Sequence, residues 1–153
     1  MENSEITLEK VAFKYGLLTC AGLIAYFLLM KLVGLVHIIE LRSLNLFIML
    51  AGLWFSMNYY KKHSYTHMNY FEGIGLGSLT AAVAVIPFSI FLLFYMLADT
   101  AFMEAIKANE DFGQWLNPYL LAFIVTFEGL VSGLMASFVL MQYLKKEHIG
   151  ASH

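Results

Sequence analysis

Residues 118–144 read PYLLAFIVTFEGLVSGLMASFVLMQYL, a run in which Glu128 is the sole Asp, Glu, Lys or Arg. At about 1.5 Å of rise per residue, such a run crosses the roughly 30 Å hydrocarbon core of a bilayer as one helix. Asn117 followed by Pro118 marks its start, because asparagine caps the exposed N–H groups and proline lacks an N–H that would be orphaned anyway. Three more apolar stretches precede it, at about residues 14–36, 44–60 and 70–98. Together they predict an all-α membrane protein, with four transmembrane helices in an antiparallel bundle over residues 14–144 and polar segments at 1–13 and 145–153.

The composition agrees. Of 153 residues, 60% are apolar and 13% charged, far from the roughly one quarter charged of a soluble protein, and the mean hydropathy is +0.71. A formal charge of −2 offers no basic surface for nucleic acid. The single Cys20 lies inside the first stretch, so it has no partner within the chain for a disulfide and reads as a small packing residue. The segment Met1–Phe13 carries Glu2, Glu5 and Glu9, and the apolar run after it is too long for a signal-peptide core, so the first helix reads as retained. Neither end carries a lipidation motif.

Basic residues set the orientation. Lys10, Lys14, Lys61, Lys62, Lys145 and Lys146 fall on one side, against Lys31, Arg42 and Lys107 on the other, which predicts both termini in the cytoplasm. Tyr15, Tyr59, Tyr60, Tyr65, Tyr70 and Tyr143 cluster at that boundary, with Tyr95, Trp115 and Tyr119 at the outer one, as interfacial anchors do. The third stretch would rise about 42 Å, more than the hydrocarbon thickness, so it should tilt, protrude, or bend at Pro87. The outer connection at 99–117 spaces Phe102, Met103 and Ile106 as a short surface helix would, and an ordered polar loop fits equally well.

Glu128 is the candidate proton or ion relay, because an ionisable group near mid-depth is costly and often marks a transport route. The bland reading is a buried hydrogen bond. Lys31 is the candidate partner: side chains lean toward their own helix N-terminus, so on antiparallel spans the two heads approach one another. Lys31 reaching the outer headgroups is the other reading. Gly73 with Gly77, and Gly129 with Gly133, are helix-packing faces, since close backbone approach replaces the hydrophobic effect in lipid. Phe71-Glu72-Gly73 and Phe127-Glu128-Gly129 repeat a tripeptide at different depths on oppositely directed spans, which reads as chance reuse of close-packing residues.

No phosphate loop, HExxH, GxSxG or intramembrane aspartate pair occurs, so no catalytic residues are assigned. His63 and His67 stand four apart beside Lys61 and Lys62, and they read as solvated rather than as a metal site. No histidine lies deep in a stretch to ligate a buried haem, and no cofactor is implied.

Lys14-Tyr15-Gly16-Leu17 opening the first stretch, Tyr60-Lys61-Lys62 closing the second, Tyr70-Phe71-Glu72-Gly73 opening the third and Lys145-Lys146 closing the fourth resemble an uncharacterised bacterial family of four-helix membrane proteins, domain of unknown function 4199. The resemblance covers roughly residues 10–147 and implies a multi-pass protein of the bacterial inner membrane, with no assigned reaction or functional residues. The expectation is a non-enzymatic integral membrane protein, a structural or accessory subunit in contact with lipid and with further copies or another membrane protein. The alternative is a small transporter or proton-coupled carrier using Glu128.

Overall fold

The computed structural model describes residues 6–34, 39–63, 68–109 and 111–150, and the side chains of all of these except 39–42 and 145–150. It is helical throughout, with α1 (Leu8–Val33), α2 (Ile39–His63), α3 (Tyr70–Ala98), α4 (Thr100–Asn109) and α5 (Pro118–Gly150), plus a 3-10 turn at Gly113–Trp115. Among the described residues α1, α3 and α5 are long and apolar enough to cross a membrane. The chain is therefore read as a multi-pass membrane protein. α2 is 25 residues long, but Asn45 and Asn58 lie within its apolar stretch and Lys61, Lys62 and His63 occupy its last turn.

Local chemistry explains most boundaries. Thr7 caps α1 by accepting from Lys10 N at 3.4 Å, and Gly34 ends it at φ 75, a left-handed conformation that costs glycine no Cβ clash. The helix thus stops at Val33, short of the expected end at 36. α2 extends beyond the apolar stretch at both ends, and α5 runs six residues past Leu144 to Gly150, because a helix supplies its own backbone bonds in water as in lipid. α3 matches the expected 70–98 and continues through Pro87. Its start carries a capping box, with Glu72 Oε2 accepting from Asn69 N at 3.1 Å.

The connection between α3 and α5 contains a helix: α4 buries Phe102 and Met103 against Leu92, Met96 and Ala122. Phe102 and Met103 alone of its side chains are fully buried, so α4 lies on the bundle as an amphipathic cover rather than as a further span. The turn that follows approaches it closely, since a Cβ on Gly113 would stand 2.6 Å from the Lys107 carbonyl carbon.

α3 is the central rod and packs against α1, α2 and α5. Its contact with α5 is an antiparallel ladder in steps of four residues: Gly73 meets Met141, Gly77 meets Ser137, Ala81 meets Gly133, and Val85 meets Gly129. Each rung sets a glycine against a larger side chain, and the glycine changes helix halfway along. Small residues let the backbones approach, and the facing side chains fill the space released. On another side of α3, Gly16 of α1 sits against Val83, where a Cβ would be 2.6 Å from Val83 Cβ.

Hydroxyls tie the rods together. Thr80 Oγ1 donates to Leu76 O at 2.7 Å, which uses its only hydrogen, so Ser56 Oγ of α2 is the donor in the 3.0 Å bond to Thr80 Oγ1. Thr126 of α5 donates to Ala122 O at 2.8 Å, so the single hydrogen of the Ser89 hydroxyl of α3 is shared between Val85 O at 3.3 Å and Thr126 Oγ1. Cys20 is buried beside Leu23 and Phe88.

Candidate functional site

Asn117 Oδ1 accepts from Leu120 N at 2.7 Å and starts α5. Ten residues on, the helical repeat carries Glu128 to the side of α5 away from Gly129 and Gly133, and its side chain is exposed. The inward positions of α5 are Ala122, Gly133, Ala136, Ser137, Met141 and Leu144, all buried. The azimuth of Glu128 follows from its neighbour: an adjacent residue is turned by about 100° on a helix, and packing claims Gly129.

Glu128 is one member of an outward row, Ile124, Glu128, Val131, Met135, Phe138 and Gln142, all exposed. The alternating steps of four and three residues are those of a left-handed coiled-coil seam. Two polar positions interrupt four apolar ones.

Lys31 lies elsewhere. Its Nζ is 2.7 Å from Asp99 Oδ2 and 4.3 Å from the centre of the Tyr95 ring. The partner of Lys31 is thus Asp99, at the end of α3, where the sequence reading paired it with Glu128 or with headgroups. α1 and α3 run in the same direction, so their final turns stand side by side. Asp99 was legible only as one acid among several in the outer connection. The equal exit depth of two parallel helices was the available signal.

Asp99 holds three elements. Its Oδ2 also accepts from Tyr95 Oη at 3.3 Å, and its Oδ1 accepts from Phe102 N at 3.1 Å, capping α4. The Lys31 ammonium, and then the Phe102 N–H, hold its carboxyl below the ordinary aspartate range. Phe27 stands edge-on to Tyr95 and Phe102, with centroids 5.1 and 5.6 Å away. The cation over the aromatic face here is the protein's own lysine.

Among the described residues no three of His, Cys, Asp and Glu converge as a metal site. His63 Nδ1 donates to Tyr59 O at 3.0 Å and its ring stacks on Tyr59 at 4.3 Å. His67 lies outside the described residues, as do the side chains of Lys145, Lys146 and His148. The four packing glycines come together in the α3–α5 ladder, whereas Glu128 and Lys31 fall in separate places.

Compared with protein-family models, with characterised proteins and with solved structures, the chain matches none.

Proposed function

We propose that this chain is a non-enzymatic accessory subunit of a membrane assembly, docking through the outward row on α5. The observation that carries this reading is the exposure of Glu128 among Ile124, Val131 and Met135. An ionisable group exposed in an otherwise apolar row gives a neighbouring membrane helix a polar contact that lipid does not offer. The mixture of apolar and polar positions suits a specific neighbour, since a polar group in an otherwise apolar seam selects register and partner.

A relay through the bundle is less well supported. Such a path needs its carboxyl in the interior, and the inward positions on α5 are small residues, apolar residues and hydrogen-bonded hydroxyls. In the same proposal α2 is the fourth span, both termini are cytoplasmic, the location is the bacterial inner membrane, and the chain belongs to the four-helix family it resembles. The six basic residues at one end support this orientation.

The test is co-purification from native membranes after cross-linking, comparing the wild type with Glu128→Gln and Met135→Trp. Association with a membrane protein or a second copy, weakened by both changes in a chain that still folds, is the expected result. Proton or cation flux in vesicles that Glu128→Gln abolishes, without any associated protein, would replace this reading with transport.

A further inference from the structure

We propose that the groove between α1 and α2, at the end holding Lys10 and His63, binds the headgroup of an anionic phospholipid, with an acyl chain lying along α1 below it. The site is distinct from the α5 row and rests on the membrane reading of the chain. Register creates it. Gly22 sits beside Ile48 and Thr19 beside Gly52, and further out Tyr15, one turn from Thr19, meets Tyr59, two turns from Gly52, with ring centroids 5.4 Å apart. The next turn brings Lys10 of α1 to the level of Lys62 and His63 at the end of α2, and all three are exposed.

Lys14 supplies the central charge. Its Nζ lies 5.3 Å from the Tyr59 ring centre and 5.9 Å from that of Tyr15. Those ring faces hold the ammonium in place without neutralising it, so its charge and N–H donors stay available to a phosphate oxygen. His63 is oriented too. Because its Nδ1–H is donated to the Tyr59 carbonyl, Nε2 is the ring nitrogen left to meet a ligand. Two carboxylates share this end: Glu72, which bonds Asn69 N, and Glu9, exposed on α1.

What selects a lipid rather than free phosphate is the surface beneath. Leu17 and Leu18 follow Lys14 at three and four residues, on the same face of α1, and are 54% and 59% exposed. Phe55 lies one turn inward of Tyr59 on α2 and is 61% exposed. Charge at the rim and an apolar track running inward from it match an amphiphile, with the phosphate above and an acyl chain below. A cationic patch at a membrane boundary attracts anionic lipid by roughly fivefold per lysine.

The test is native mass spectrometry of the full chain in detergent, after exposure to equal amounts of phosphatidylglycerol and phosphatidylcholine. The wild type should retain phosphatidylglycerol preferentially. Lys10→Gln with Lys14→Gln should lower that preference by about twentyfold or more, Lys14→Arg should keep it, and Lys107→Gln at the far end should leave it unchanged. Equal retention of the two lipids by the wild type, an unaltered preference in the double variant, or displacement by inorganic phosphate would each overturn the site. A folded chain recovered without detergent would instead overturn the membrane reading beneath it.

Discussion

Gly129 of α5 faces Val85 of α3 so closely that a Cβ there would lie 2.6 Å from Val85 Cγ1. Val85 is itself buried in the cluster with Met49, Leu53, Ala81 and Ala136, so it has no open direction in which to move. Gly129→Leu and Gly133→Leu should therefore each destabilise the bundle by about 1–3 kcal/mol, the usual cost of overpacking, read as a lower midpoint in detergent-mediated unfolding. Gly75, with open space where its Cβ would stand, provides the contrast: Gly75→Ala should be neutral or stabilise by up to about 1 kcal/mol. Equal destabilisation by all three changes would contradict the ladder.

The Lys31–Asp99 pair makes its end of the bundle sensitive to acid. The Asp99 pKa is lowered on folding, so its contribution is fully present above the unfolded aspartate value near 4 and is lost as pH falls through the lower folded value. Amide exchange at Phe102, whose N–H the same carboxyl accepts, should accelerate at pH 3 relative to pH 6 beyond the intrinsic pH effect. In Asp99→Asn that excess should disappear. An excess retained in the variant would show that another group carries it.

Thr80 is the acceptor for Ser56 in a fully buried contact. Thr80→Val should cost about 0.5–2 kcal/mol, within the range for interhelical hydroxyl bonds in membranes, because it leaves the Ser56 hydroxyl without its acceptor. The double variant with Ser56→Ala should recover part of that loss. Strict additivity in the double-mutant cycle would mean that the two hydroxyls are not coupled.

If α2 crosses the membrane, Ser43→Cys and Lys62→Cys, at exposed positions near its two ends, should react with an impermeant thiol reagent from opposite sides of intact vesicles. Labelling from one side alone would contradict the shared direction of α1 and α3, which requires the chain to return between them.

Several features could be read residue by residue. The α3 boundaries followed from the apolar run at 70–98, and the start of α5 from Asn117 and Pro118, because hydropathy and capping are properties of short stretches. The glycine pairs on α3 and α5 were visible too, as four-residue spacings. Their mutual register was not, since any small-residue face fits several neighbours.

By itself, then, the sequence determined where apolar helices run and which of their faces carry small residues, because the backbone must satisfy its own hydrogen bonds wherever water is absent. The tertiary structure decided which faces meet: Gly133 with Ala81, Lys31 with Asp99, and Glu128 turned outward. Those choices depend on how side chains of several helices fill one shared volume, and no single stretch of chain contains that volume.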